Sequence, residues 1–228
     1  MTAHDQTCFQ GFPADLPVLL SALESNNSRE WFHANKARYD HHVKRPVAML
    51  AEAIAPVVAG IDARALRKFS RPNRDIRFSA NKAPYRCVAW LAFCRPVEAW
   101  TDRPAYFLEV TPTQCRWGMG FYSAKPTTMS RLRTLLSDNP EPFLAALTAL
   151  RERGFAVEGE SYRRPPAASA GLPPLLADIL GRKNCYMNRS SGYCDHLRSG
   201  AFAASVADDF LALAPLYQLF CRVVGPPG

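Results

Sequence analysis

Three short segments rich in β-branched and aromatic residues limit the folds that are open to this chain. They read CVAWLAFC at 87–94, AYFLEV at 105–110 and CRWGMGFY at 115–122, and stretches containing Pro, Asp, Thr and Gln separate them. Runs of this kind, bounded by turn-forming residues, are typical of β-strands. Their close succession predicts an antiparallel meander near the middle of the chain.

Apolar residues at helical spacing flank these strands on both sides. On the N-terminal side they predict a helix over 16–25 with Asp15 as its N-cap, and a second helix that starts at the cap Ser28. Pro46 should bend or end the second helix before the pattern resumes at 47–58. Further helices are predicted at 126–136, 143–153, 175–180 and 201–223, and further strands at 155–159 and 184–189.

The chain of 228 residues shows no internal repeat and no linker that would divide it, so we expect one compact domain over 1–228. Helical and strand patterns together predict an α+β fold, an antiparallel sheet with helices packed against it. Hydrophobic residues make up 48% and charged residues 21% of the chain, which excludes the composition of a disordered protein.

The sequence also limits location and cofactors. No basic region precedes an apolar run at the N-terminus, and the longest apolar stretch, 47–58, is too short to span a bilayer. We therefore expect a soluble, cytoplasmic protein without a membrane partner. The seven cysteines form no C-x-x-C pair and the histidines no H-E-x-x-H motif, so we expect reduced, mostly buried thiols and no metal site. The cofactor, if there is one, stays unknown.

Positive charge is concentrated in one part of the chain. The formal net charge is +8, and the segment from Arg64 to Arg86 holds eight Lys and Arg residues against one carboxylate, Asp75. Such a local excess favours an anionic partner, which could be a phosphate, a carboxylate or a nucleic acid backbone. The alternative is a solvated surface loop.

Within this segment, RPNRDIRFSANKAPYR (71–86) mixes cations with aromatic residues. If 74–79 is extended, Asp75, Arg77 and Ser79 share one face. Asp75 should be ionised and should pair with Arg77 or Arg29, which would lock one guanidinium and leave other cations for an anion. The predicted ligand-binding residues here are Arg74, Arg77, Ser79, Lys82 and Arg86, and the catalytic candidates are Asp75 and Tyr85. The alternative is a salt-bridge network that only stabilises the fold.

The second helix carries an unusual face. In NNSREWFHANKARY (26–39), Trp31, Asn35 and Tyr39 recur every four residues, and rings alternate with polar groups as in a wall that faces a ligand. In the alternative interpretation, Trp31 and Phe32 belong to the core and Asn35 and Lys36 lie at its rim. The ligand-binding candidates from this segment are Asn27, Arg29, Trp31, Asn35, Lys36 and Tyr39. We predict that segments 27–39 and 74–86 converge on one concave surface.

These motifs resemble a known family. FQGFP, NN-x-R-x-WF-x-x-NK-x-x-Y, RD-x-RFS-x-x-K-x-PY, a later G-x-G-x-Y and a C-terminal PL-x-x-x-F are similar to a widespread microbial and fungal family catalogued as a domain of unknown function, conserved hypothetical family 2461. The resemblance covers about 9–220 and implies no established reaction. Family members tend to carry a Gly-Tyr, an acidic residue and a His-Pro after an Arg-Pro element, and this chain keeps Arg164 and Pro165 but lacks that Tyr and His.

The function that best fits these features is binding of a small anionic metabolite in a basic and aromatic pocket, and whether the protein acts on it as an enzyme stays open. One alternative is a nucleic-acid-binding protein, in which Phe78, Tyr85 and Trp90 stack bases beside cations. Another is a module that docks an acidic protein surface. The pair Gly118 and Gly120 indicates a bulge or a close backbone approach within a strand rather than a nucleotide loop.

Overall fold

The computed structural model describes residues 8–164 and 172–224, which fold as a six-stranded antiparallel sheet with helices packed on one face. The predicted α+β fold is thereby confirmed. Most of the predicted irregular segment 163–174, including Pro165, lies outside the described residues. No helix within the described ranges is long and apolar enough to cross a membrane.

Two helices open the fold, α1 (Asp15–Ser25) and α2 (Arg29–Tyr39). The leucines at helical spacing in α1 are buried, as predicted. Asp15 is not the N-cap, because the helix already begins at Asp15 and Ala14 occupies the cap position without a side-chain hydrogen bond. The Ser28 cap of α2 is confirmed, since its hydroxyl accepts a 3.1 Å hydrogen bond from the Trp31 amide.

The chain does not break where Pro46 was expected to bend or end the helix. A π-helical turn, Asp40–Lys44, joins α2 directly to α3 (Arg45–Ile61). Pro46 is the second residue of α3 and directly follows the π-helical turn, in which the Arg45 amide donates to the Asp40 carbonyl five residues back. The regular i to i−4 hydrogen bonding is therefore already interrupted where the proline occurs, and the helix continues through it.

The strands are β1 (Leu66–Phe69), β2 (Ala89–Cys94), β3 (Pro104–Val110), β4 (Gln114–Phe121), β5 (Ala156–Glu158) and β6 (Tyr186–Gly192). Their order in the sheet is β1-β2-β3-β4-β6-β5, and every neighbouring pair is antiparallel. The predicted meander is therefore confirmed as β2-β3-β4. Strand β1 was not predicted, because all four of its residues are exposed and carry no alternating pattern.

Four helices complete the fold: α4 (Pro126–Asp138), α5 (Pro140–Glu152), α6 (Pro174–Leu180) and α7 (Ala201–Val224). The apolar side of α7 packs against α3 and the sheet. Two aromatic contacts show which face of the sheet it covers: the Tyr106 ring lies 4.7 Å from Phe210, and the Trp117 ring lies 5.1 Å from Phe202.

Two buried carboxylates tie α7 to the rest of the core. Asp209 accepts hydrogen bonds from the Trp117 indole at 2.8 Å and from the Arg189 guanidinium at 2.9 Å. Asp62, which follows α3, accepts from the Tyr217 hydroxyl at 2.6 Å and from Arg95 at 2.7 Å. Burial raises the pKa of Asp62, but the hydrogen bonds from Tyr217 and Arg95 outweigh burial and lower this pKa below its ordinary value.

The cysteines are all free thiols, in agreement with the expectation of reduced cysteines. Only Cys94, Cys115 and Cys185 are buried, so the expectation that most would be buried is not met.

Gly118 and Gly120 lie where the backbone of β6 passes closest to β4. A Cβ atom on Gly118 would collide with the carbonyl oxygen of Met187, and one on Gly120 with that of Cys185. The predicted close backbone approach is confirmed, and it explains why neither position carries a side chain.

Candidate functional site

The face of the sheet opposite α7 forms a groove of about 950 Å³. Side chains alternate along each strand, so the residues between those packed on α7 point into this groove. Its floor consists of Trp90 from β2, Phe107 and Glu109 from β3, Arg116 from β4 and Tyr186 from β6. Residues outside the strands extend the lining with Glu24, Asn27, Arg74, Asn81, Ala83, Tyr85, Arg86, Trp100, Tyr122 and Asn184.

Aromatic rings supply much of the groove wall. The Trp100 ring lies 6.0 Å from Trp90 and 6.3 Å from Tyr122, and its plane is within 16° of the Tyr122 plane. On the floor, the Phe107 and Tyr186 rings meet edge to face at 5.8 Å. Flat apolar surfaces of this kind can accept a planar group of a ligand by stacking.

Arg116 is the cation on the groove floor. It stands directly opposite Glu109 in the β3–β4 register. Its Nε lies 3.9 Å from a carboxylate oxygen of Glu109, and its Nη2 lies 3.7 Å from a carboxylate oxygen of Glu158. Both distances are too long for direct hydrogen bonds. The Nε atom is buried and has no hydrogen-bond acceptor among the described residues.

The Arg116 guanidinium is protonated and positively charged. Burial lowers the pKa of Arg116, but the Tyr186 hydroxyl and the carboxylates of Glu109 and Glu158 outweigh burial and raise this pKa above its ordinary value. The Arg116 guanidinium also lies 5.7 Å from the centre of the Tyr186 ring. The floor therefore holds a charged guanidinium that lies near two carboxylates and keeps one buried donor without a hydrogen-bond acceptor.

Residues 71–86, which we call the basic loop, leave the sheet and return to it. The Asn73–Tyr85 bridge closes the base of the loop, together with hydrogen bonds from the Arg74 amide to Pro84 (2.8 Å) and from the Arg86 amide to Pro72 (2.7 Å). The extended conformation predicted for 74–79 ends at Ile76, because a turn follows in which Asp75 accepts from the Arg77 amide at 3.2 Å.

The two predicted segments, 27–39 and 74–86, meet in the structure. The Asn27 side chain donates to the Tyr85 carbonyl at 3.0 Å and accepts from the Tyr85 amide at 2.9 Å. The Phe32 ring stacks on the Tyr85 ring at 4.0 Å. Of the predicted residues, Asn27, Arg74, Tyr85 and Arg86 line the groove.

The other predicted residues of the basic loop are outside the groove lining. Asp75 pairs with Arg77, one of the two partners predicted for it, through bonds of 3.0 and 2.7 Å, and these bonds lower the Asp75 pKa. Lys82 donates to the Ile76 carbonyl at 3.1 Å, and Ser79 lies 3.4 Å from an Arg74 nitrogen. These side chains therefore hold the shape of the loop itself.

The predicted residues of α2 lie in different places: some line a second cleft, and the others lie outside both cavities. Lys36 and Tyr39 line a second, smaller cleft of about 290 Å³, and Tyr85 and Trp90 border both cavities. Burial and then the Asp40 charge raise the pKa of Tyr39 to about 12, so its hydroxyl stays neutral. Trp31 packs against the core, Asn35 donates to the Trp31 carbonyl, and the exposed Arg29 lines neither cavity.

Sequence reasoning missed most of the floor. Alternation within AYFLEV was a usable signal for Phe107 and Glu109, which are two residues apart in β3. No comparable signal placed Tyr186 beside Arg116, because β6 pairs with β4 although three helices and a strand lie between them in sequence. In residues 8–164 and 172–224, no group of three or more His, Cys, Asp or Glu side chains could hold a metal ion.

These features define a single-domain α+β protein whose sheet has one face covered by helices and one grooved face. Residues 18–219 match the family described as conserved hypothetical protein (DUF2461), and the chain belongs to this family. The match includes α2, the basic loop and all six strands. A comparison with curated proteins finds no match. Because the family description names no reaction, the function has to be argued from the groove.

Proposed function

We propose that the protein binds a small, ring-bearing anion in the groove, with the ring against the aromatic walls and the anionic group at Arg116. The buried, unused Nε donor of Arg116 carries this proposal. A buried donor without an acceptor costs about 1–3 kcal/mol, so an anionic ligand that accepts from Nε removes that cost on binding.

The charge of the lining agrees with an anionic ligand. Three arginines, Arg74, Arg86 and Arg116, line the groove against two carboxylates, Glu24 and Glu109. A further carboxylate, Glu158, lies 3.7 Å from Arg116, so the excess of positive charge comes from Arg74 and Arg86. Arg74 already donates to the Ala83 carbonyl, whereas the Arg86 side chain has no hydrogen-bond or ion-pair partner in the described part of the chain. Arg86 is therefore the second cation available to a ligand.

The size and walls of the groove favour a ligand with a ring. Small-molecule sites typically occupy about 300–1,000 Å³, and this groove lies near the upper end of that range. An acidic protein surface fits less well, because the Arg116 side chain is only 24% exposed and lies on the floor of a concave surface. We assign binding, and no reaction, to the groove: of the two catalytic candidates, Asp75 is outside the lining and Tyr85 is held between Asn27 and Phe32.

Isothermal titration calorimetry with three matched probes tests the proposal. AMP combines a ring with an anion, adenosine has only the ring, and inorganic phosphate has only the anion. We expect AMP to bind more tightly than either of the other two. Losing a charge-assisted hydrogen bond costs about 1.5–3 kcal/mol, so Arg116→Gln should weaken AMP binding about 10- to 150-fold.

Arg77→Gln is the matched control, because Arg77 is exposed and pairs with Asp75 outside the groove lining. It removes the same charge and should leave AMP affinity unchanged. The proposal fails if phosphate binds as tightly as AMP, if no ring-bearing anion binds, or if the two variants behave alike.

A further inference from the structure

The basic loop presents an uncovered aromatic ring at its turn. The Phe78 side chain is 96% exposed, and the Arg77 guanidinium lies 5.9 Å from the centre of its ring. Single exposed hydrophobic residues are common on protein surfaces and need no explanation by themselves. Phe78 becomes informative through the charges around it and through the position of the loop beside the groove.

Only some of the cations in this loop form ion pairs or hydrogen bonds within the protein. Asp75, its single carboxylate, is occupied by Arg77. Arg74 and Lys82 donate to carbonyl groups of the loop and remain positively charged. The side chains of Arg71 and Arg86 are exposed, and no other described residue forms a hydrogen bond or ion pair with them. The loop therefore keeps four cations that form no ion pair with a carboxylate of the described residues: Arg71, Arg74, Lys82 and Arg86.

This cationic surface continues into the groove. Five residues of the basic loop are also part of the groove lining: Arg74, Asn81, Ala83, Tyr85 and Arg86. Trp90 follows in β2, and the rings of Trp100 and Tyr122 succeed it at spacings of 6.0 and 6.3 Å. Cations and aromatic rings thus occur together on one surface that includes both the basic loop and the groove.

From this continuity we infer that the basic loop and the groove together bind single-stranded nucleic acid. Phosphates follow the cations of the loop, while unpaired bases stack on Phe78 and on the aromatic walls of the groove. The inference rests on the proposed function, because one nucleotide of the strand occupies the Arg116 site.

Other anionic macromolecules fit the same surface less well. The bases of a duplex are stacked inside it and cannot reach Trp90 and Trp100, which are partly buried in the groove. An anionic membrane would contact Phe78 and the cations but would leave the groove rings without a partner.

Fluorescence anisotropy with labelled (dT)12, at 50 and 200 mM NaCl, tests this inference, and unlabelled dTMP serves as the one-nucleotide competitor. We expect (dT)12 to bind at least tenfold more tightly than dTMP and to weaken as salt rises. Phe78→Ser should weaken (dT)12 binding about 5- to 150-fold, as expected for one lost base stack. Arg71→Gln should lower the affinity and reduce the slope of log affinity against log salt by about 1.

Each variant has a matched control on a helix outside this surface. Leu211→Ser removes an exposed apolar side chain from α7, and Arg131→Gln removes an exposed cation from α4. Both controls should leave (dT)12 affinity close to that of the parent. All four side chains are exposed, so circular dichroism should show unchanged folding.

Several results would overturn the inference: (dT)12 binding no more tightly than dTMP, a duplex competing as well as the single strand, or Phe78→Ser and Arg71→Gln matching their controls. Phe78-dependent binding to phosphatidylserine vesicles without binding to (dT)12 would assign the loop to membranes and overturn it too. If dTMP binds in an Arg116-dependent way while (dT)12 gains nothing, only this inference falls. If neither dTMP nor AMP binds, the proposed function falls as well.

Discussion

Replacing Asp209 with Ala removes the acceptor that joins α7 to the sheet. The Asp209 carboxylate is 1% exposed and accepts hydrogen bonds from the Trp117 indole at 2.8 Å and from Arg189 at 2.9 Å. Arg153 also contacts it, at 3.3 Å. The substitution therefore leaves one buried donor and two cations without their acceptor.

The structure sets the size of the effect. Breaking a fully buried ion pair costs about 3–5 kcal/mol. Here the side chains of Arg189 and Arg153 are 39% and 47% exposed, so water can solvate both guanidinium groups once the carboxylate is gone. The Trp117 ring is buried, and its unsatisfied N–H costs about 1–3 kcal/mol. With part of the arginine interaction added, we expect a loss of about 2–4 kcal/mol in the free energy of unfolding.

Equilibrium unfolding in urea measures this loss, with Asp208→Ala as the control. Asp208 is the preceding residue of α7 and is exposed, so both substitutions change helix propensity equally and only one removes the buried acceptor. Asp208→Ala should change the free energy of unfolding by less than about 0.5 kcal/mol. Asp209→Asn, which keeps one oxygen acceptor, should lose less than Asp209→Ala. The reasoning is refuted if Asp209→Ala is as stable as Asp208→Ala at an unchanged m-value.

Three further predictions concern acid stability, the sheet and the base of the loop. Folding lowers the pKa of Asp62, so its carboxylate stabilises the folded state above the unfolded pKa of about 4, and this stabilisation is lost as pH falls through the folded pKa. Asp62→Asn should therefore be less stable than the parent at pH 7 and should lose less stability between pH 5 and 3. Equal pH dependence of the free energy of unfolding in urea would contradict this. Gly118→Ala should destabilise the protein by about 1–3 kcal/mol, because the new Cβ would collide with the β6 backbone. Gly60→Ala should stabilise it by about 0.5–1 kcal/mol, because Gly60 lies in α3 with open space around it. Thermal unfolding would refute the reasoning if both substitutions changed the stability in the same direction. Asn27→Ala removes both hydrogen bonds to the Tyr85 backbone, so amide hydrogen exchange at Tyr85 should accelerate, and unchanged exchange would show that the Phe32 stack alone holds the loop.

Local patterns were sufficient for most helices and for the central strands. The leucine spacing of α1 and the alternating residues of β3 each bury a defined side of one element, and that side can be recognised from a few consecutive residues. The Ser28 cap was recognisable for the same reason, because its hydrogen bond reaches only three residues along the chain. Strand β1 was missed because pairing with β2 creates it, and its own residues are all exposed.

The candidate site depended on contacts between distant parts of the chain. The sequence pointed correctly to the meeting of 27–39 with 74–86, since both segments mix aromatic and polar residues, but it could not show that Asn27 and Tyr85 make the contact. The sequence did not indicate Arg116 as a site residue, for a different reason. Its neighbours Glu109, Glu158 and Tyr186 come from three other strands, and only the order of the sheet brings them around one guanidinium and leaves its Nε buried without an acceptor. Burial and unmet hydrogen bonds are properties of such nonlocal packing, so only the tertiary structure draws attention to the atom that we propose as the anchor for an anion.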